Sequence, residues 1–256
     1  VLHLLGRTRR WSPLCVITIS GMPGSGKSTQ VAILADRLGP RAVVLSVPRL
    51  LRTHTLDEYL TRRELDILEN HKPAASASRT RGTLAPLPID EILFHLAGRL
   101  ARSGMFVILD GAPRGLAQAE LMLNLVESGA IPSYCVIYLR LPKPAGLVSL
   151  CRQIQRSVRT KGAMSTLRDL RRFWTKIAVF RGDTARGLSY LRRNGVLIEE
   201  IPARLSRDEV SEAIWRFVST HRPELHNFPR HDHAHGGDGH GREEVLTSLP
   251  GESLPR

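Results

Sequence analysis

Eight consecutive residues, Gly21-Met22-Pro23-Gly24-Ser25-Gly26-Lys27-Ser28, carry the G-x-x-x-x-G-K-[ST] pattern that wraps a polyphosphate. Glycines let the backbone curl until its N–H groups converge on phosphate oxygens, and a helix that starts just after them points its positive end at the same spot. Gly21, Gly24, Ser25 and Gly26 are therefore candidates for a phosphate cradle. Lys27 would reach the β- and γ-phosphates, and Ser28 or Thr29 would lie beside a magnesium ion. A second cluster begins at Gly104, where the apolar run Phe106-Val107-Ile108-Leu109 ends in Asp110 and is followed by Gly111-Ala112-Pro113-Arg114 and Gln118. A carboxylate at the carboxyl edge of a parallel sheet can hold hydrated magnesium through its waters. Arg114, just past a tight turn, offers a planar fork suited to a phosphate or, alternatively, to a structural salt bridge.

These groups need elements to position them, and the chain alternates strand-like and helix-like segments as a parallel sheet covered on both faces requires. The expected strands are Cys15–Ile19, Ala42–Ser46, Phe106–Leu109, Cys135–Leu139 and Val196–Glu200, each short and aliphatic. Helical patterns fall at about 28–38, 56–70, 89–103, 115–128, 144–158, 166–193 with breaks, and 207–220. The expected fold is α/β: a doubly wound five-stranded parallel sheet with the phosphate loop after its first strand. Residues 71–88, HKPAASASRTRGTLAPLP, read as a mobile connection.

The 256 residues, 42% hydrophobic, suffice for one such domain with flexible ends. No apolar run approaches the roughly eighteen residues of a membrane span. Cys15, Cys135 and Cys151 have neither even number nor C-x-x-C spacing, which argues against a disulfide framework or a structural zinc and for a reducing compartment. A basic leader with Arg7, Arg9 and Arg10 is expected to be flexible over 1–13, a transit-peptide remnant being the other reading. The tail over 221–256 holds His221, His226, His231, His233, His235 and His240 among Gly, Pro and Asp, and reads as disordered rather than as a specific metal site. From Arg152 to Arg193 twelve Lys and Arg face only Asp169 and Asp183, part of a formal charge of +13. That density fits nucleotide phosphates, a nucleic-acid backbone or a solvated helix face.

In their order along the chain, four segments resemble the adenylate kinase family of nucleoside monophosphate kinases. GMPGSGKSTQVAILADRLG is similar to the family's nucleotide loop and first helix, and FVILDGAPRGLAQAE to its Asp-Gly-Phe-Pro-Arg segment with the downstream glutamine. VIYLRLPKPAGLVSLCRQIQR resembles the fourth strand and a helix bearing two arginines four residues apart, and GDTARGLSYLRRNGVLIEEI the stretch into the last strand. The resemblance covers about 14–220 and implies a helical acceptor-binding insertion near 47–88 and a short lid near 157–175. It implies reversible phosphoryl transfer from Mg·ATP to a nucleoside monophosphate, with magnesium held by Ser28 and, through water, by Asp110. Lys27 and Arg152 would then serve ATP, and Arg152 and Arg156 would meet the transferring group from one helix face. Ser46, Arg52, Gly111, Arg114 and Gln118 would bind the acceptor, Gln118 reading an adenine edge and so favouring AMP.

Several positions depart from the family pattern. Val47-Pro48-Arg49 stand where the family has a small residue and Gly-Asp, Ala112 replaces its phenylalanine, and Lys176 falls on a late lid arginine. The lid RTKGAMSTLRDL lacks paired aspartates. An intact donor side beside an altered acceptor side leaves two function classes: a divergent short-lid kinase making two ADP, or a catalytically weak ATP-binding module of a larger protein or assembly. RNA binding by the basic surface is the weakest reading, since few aromatics interleave the charges. ATP and AMP are the expected partners of a monomeric domain, in the cytoplasm or in an organelle such as the mitochondrion, and this domain could sit within a longer chain.

Overall fold

The computed structural model describes residues 15–52, 54–161 and 166–222, with the backbone alone at 54, 79, 153, 155–161 and 166–171. The basic leader, residues 162–165 in the middle of the expected lid, and all of the histidine-rich tail after Arg222 lie outside the described residues.

Among the described residues, β1 Val16–Gly21, β2 Ala42–Leu45, β3 Phe106–Asp110, β4 Tyr134–Arg140 and β5 Leu197–Pro202 form one parallel sheet in the order β2-β3-β1-β4-β5. Helices α1 Lys27–Leu38, α2 Val47–Leu50, α3 Arg62–Arg81, α4 Leu87–Arg102, α5 Leu116–Glu127, α6 Ala145–Lys161, α7 Thr166–Val179, α8 Ala185–Arg193 and α9 Arg207–Thr220 connect and cover the strands. Strand side chains alternate between two cores. Val16, Val107, Leu109 and Val136 join α4 and α5 on one face, while Ile17, Ile19, Ile108 and Ile137 join α1 and α9 on the other. Every residue of β1 is buried, as a central strand covered on both sides must be. The chain leaves β1 toward β2 and leaves β3 toward β4, on the opposite side, so a crevice opens at the carboxyl end of β1, where such sheets take their ligands. No helix among the described residues is long and apolar enough to cross a membrane.

One expectation is overturned. Residues 71–81 are not a connection but the second half of α3, with Pro73 inside it. Three alanines and a buried face outweigh the proline: Ala75 and Leu68 both enter the core. The helix stops where Gly82, at φ 82°, and Thr83 donate their N–H groups to Ser78 O at 2.8 and 3.0 Å. Its other end is fastened to α4 by Arg99, whose guanidinium meets both Glu64 oxygens at 2.9 and 3.0 Å and Tyr59 O at 3.0 Å.

α4 in turn approaches the turn before β4 so closely that a Cβ on Gly98 would lie 2.5 Å from Ala130 O. That oxygen belongs to a turn pinned by the Ile131 N–H bond to Leu125 O and cannot retreat freely. Gly98→Ala is expected to destabilise the fold by about 1–2 kcal/mol, overpacking outweighing the gain in helix propensity. A lowered midpoint in urea unfolding would show it, and an unchanged or raised midpoint would refute the packing.

Candidate active site

β1 delivers the phosphate loop. Gly24 and Gly26 take φ values of 78° and 89°, which side-chain-bearing residues rarely adopt, and the loop enters α1 with Gly26 in the left-handed conformation. α1 has neither a side-chain cap nor an acidic residue in its first turn, so its leading N–H groups are left for an anion. Ser25 is buried, and its Oγ has no hydrogen-bond partner among the described residues. Lys27 Nζ donates to Gly21 O at 2.6 Å and to Met22 O at 3.0 Å, parked on the loop's own carbonyls. Burial pushes its pKa down to about 8. The Asp110 carboxylate opposes that shift, while Arg114 and Lys176 add to it.

Asp110 ends β3 opposite Ile19 of β1, and Ser28 Oγ donates to its Oδ2 at 3.4 Å. A hydroxyl and a carboxylate meeting beside the loop are hard oxygen donors of the kind magnesium takes, so these two residues fit that ion. Among the described residues no group of three or more His, Cys, Asp or Glu could hold a metal by itself. Magnesium would therefore need phosphate oxygens and water to complete its shell.

α6 braces the loop from above. Ser149 Oγ donates to Pro23 O, and Arg152 donates to Gly24 O at 3.3 Å and to Ala203 O at 2.8 Å. A Cβ on Gly24 would sit 3.1 Å from Ser149 O, so the loop's second glycine is also needed for this contact. Arg156 follows one turn later on α6, and its side chain lies outside the described residues, as do those of Arg159 and Arg168.

The turn after β3 is gripped on every side. Thr18 Oγ1 donates to Ala112 O at 2.6 Å and accepts from Tyr134 Oη at 3.0 Å, which supports the turn from the sheet. Gly111, at φ 76°, accepts from Arg114 Nε at 2.6 Å through its carbonyl. Thr184 Oγ1, from the π turn Phe180–Thr184, donates to Arg114 O at 2.8 Å. Gln118, expected to read an acceptor's adenine edge, is buried, its Oε1 accepting from Arg114 N at 2.5 Å and its Nε2 donating to Asp90 Oδ2 at 2.6 Å. Ser46 caps α2 by accepting from Arg49 N, and Arg52 Nε donates to Pro48 O at 3.0 Å. Pro48 sits within α2's first turn, where a missing N–H costs nothing.

Lys27, Ser28, Asp110 and Arg114 thus gather at one sheet edge, while Ser46 and Arg52 flank α2. Sequence reasoning missed Asp90, Thr18 and Thr184. For Asp90 a signal existed: it shares the apolar face of α4 with Leu93, Phe94 and Ala97, an acid where helical periodicity calls for a hydrophobe.

Sheet order, phosphate loop and strand-end carboxylate together define a phosphate-loop nucleotide-binding domain. A family model described as an AAA domain matches residues 16–145. An adenylate kinase of Synechococcus sp. (strain CC9902) is 31% identical over 200 residues, covering 77% of this chain and 95% of that protein. Adenylate kinases of Thermus thermophilus and Thermobifida fusca are 31% and 28% identical, covering 69% and 77% of this chain and 83% and 94% of their own lengths. The chain belongs to the adenylate kinase family.

Burial lifts the Asp90 carboxyl to about 7, with the Gln118 bond and Arg114 pulling it back and Glu91 adding to the rise. Above about pH 4 the unfolded chain ionises this acid while the folded chain does not, so its contribution to stability falls as pH rises from about 4 to 7. The melting temperature of Asp90→Asn minus that of wild type should therefore climb across this window and level off above it. A flat difference in thermal melts would show that Asp90 titrates normally.

Proposed function

We propose that this chain transfers a phosphoryl group reversibly from Mg·ATP to AMP, giving two ADP. The observation that carries the reading is the meeting of a donor cradle, Lys27 with Ser28 and Asp110, and an acceptor arginine, Arg114, at the same carboxyl edge of the sheet. Lys27 and Arg114 are close enough for each to feel the other's charge, so two phosphates bound to them would lie near one another. In this reading the loop amides and Lys27 take the ATP phosphates. Lys27 leaves the carbonyls of Gly21 and Met22, and anionic oxygens restore its full positive charge.

Ser28 and, through water, Asp110 would hold magnesium, which neutralises charge on the β- and γ-phosphates when bound. Arg114 and Arg52 orient the acceptor phosphate. One of its oxygens forms the new bond to the γ-phosphorus as the bond to the β–γ bridging oxygen breaks, and ADP departs with that oxygen. Arg152 and Arg156 follow the moving charge from α6. The protein contributes alignment and electrostatic stabilisation, with closure of the 47–88 and 157–175 segments of a 14–220 domain excluding water. The same reading takes the domain as monomeric and cytoplasmic.

A second reading, an ATP-binding module with weak transfer, is favoured by one observation: Gln118 has both amide ends engaged inside the protein. A coupled assay of ADP release with Mg·ATP alone and then with AMP separates the two. AMP-dependent ADP, cut about 100-fold or more by Lys27→Ala and with the AMP KM raised by Arg114→Ala, supports the kinase. ATP binding without transfer to any monophosphate supports the module.

A further inference from the structure

We propose that Asp90 is a positioning residue that sets the place of Arg114 through Gln118; the inference rests on the reading of Arg114 as the group that binds the acceptor's phosphate. α5 starts at Leu116 with no side-chain cap from Gly115, so the turn carrying Arg114 depends on bonds from elsewhere. The Arg114 N–H is taken by Gln118 Oε1 and its C=O by Thr184 Oγ1. A glutamine amide has nearly the same shape either way round, and the partners at its two ends together decide which way it points. An Asp90 carboxyl oxygen accepts from the NH2 end, which leaves the amide oxygen for the Arg114 N–H. Reversed, the amide would set donor against donor at Arg114 and lose the Nε2 bond to Asp90.

Asp90 is 2% exposed and Gln118 5% exposed, so the chain keeps a carboxyl in its core at a cost that any apolar residue would avoid. α4 also carries Arg99, which grips Glu64 and Tyr59 of the acceptor insertion. One helix therefore fixes both halves of the acceptor side, and Gln118 serves as a strut between them.

The test uses the full chain as wild type, Asp90→Asn, Asp90→Leu, Gln118→Met and the Leu/Met double variant. Two quantities are read: hydrogen exchange of the Arg114 amide by NMR, and KM for AMP and for Mg·ATP determined separately. Asp90→Asn keeps an accepting oxygen and should keep Arg114 protected. Asp90→Leu and Gln118→Met should each lose about 10-fold in protection and raise the AMP KM about 10-fold, with the ATP KM within about twofold of wild type. The double variant should be no worse than either single one, because both break the same relay. Unchanged Arg114 protection in Asp90→Leu, equal effects on both KM values, or additive losses would overturn the proposal. If Asp90→Leu does not fold, Gln118→Met carries the same comparison. If wild type transfers nothing to AMP, the kinase reading falls, and the exchange comparison alone decides for or against the strut.

Discussion

A cation held partly away from water at the end of β1 is the constraint around which this domain is built. The Lys27 ammonium is pressed against backbone carbonyls, with its pKa lowered to about 8, and such a group is stable only where the backbone curls to meet it. The curl requires left-handed glycines at 24 and 26, a helix that starts directly after them, and a strand buried on both faces to hold the loop's root. Asp110 opposes the lysine's desolvation from β3, and this is possible only because β3 lies beside β1 in register. Sheet order, loop conformation and charge pairing are therefore one arrangement, and disturbing any of them disturbs the electrostatics of the others.

The turn after β3 solves a different problem. Arg114 has to project from an irregular turn, where no helix or sheet ladder fixes the backbone. The turn is instead held by Thr18 from β1, Gln118 from α5 and Thr184 from the π turn before α8. π turns are uncommon and frequent at functional sites, and here one carries the Thr184 hydroxyl that meets Arg114 O. Gly187 allows the close approach that this needs, since a Cβ there would lie 2.8 Å from Gly115 O.

Much of this was legible in the sequence because short-range chemistry encodes it. The phosphate loop announces itself through glycine spacing, the strands through β-branched runs, and α9 through the helical pattern at 207–220, which the structure places at Arg207–Thr220. What escaped was information carried by three-dimensional contacts. α3 looked like a linker at Pro73 because its alanines reveal their value only when Ala75 is buried. Gln118 could be matched to a family motif, but its partner Asp90 lies 28 residues earlier on another helix, and no local pattern links the two. Thr184 and Arg114 are separated by 70 residues and meet only because α8 packs on α5.

The central claim is that the Lys27 charge is held in reserve for a polyphosphate. Its most direct test is calorimetry of Mg·ATP binding at pH 8 in buffers of differing ionisation enthalpy, with wild type compared with Lys27→Met. With the lysine near its midpoint when free and fully protonated against phosphate, binding should take up roughly half a proton in wild type and none through this group in the variant. Equal proton uptake in the two proteins, or none in wild type, would contradict the account.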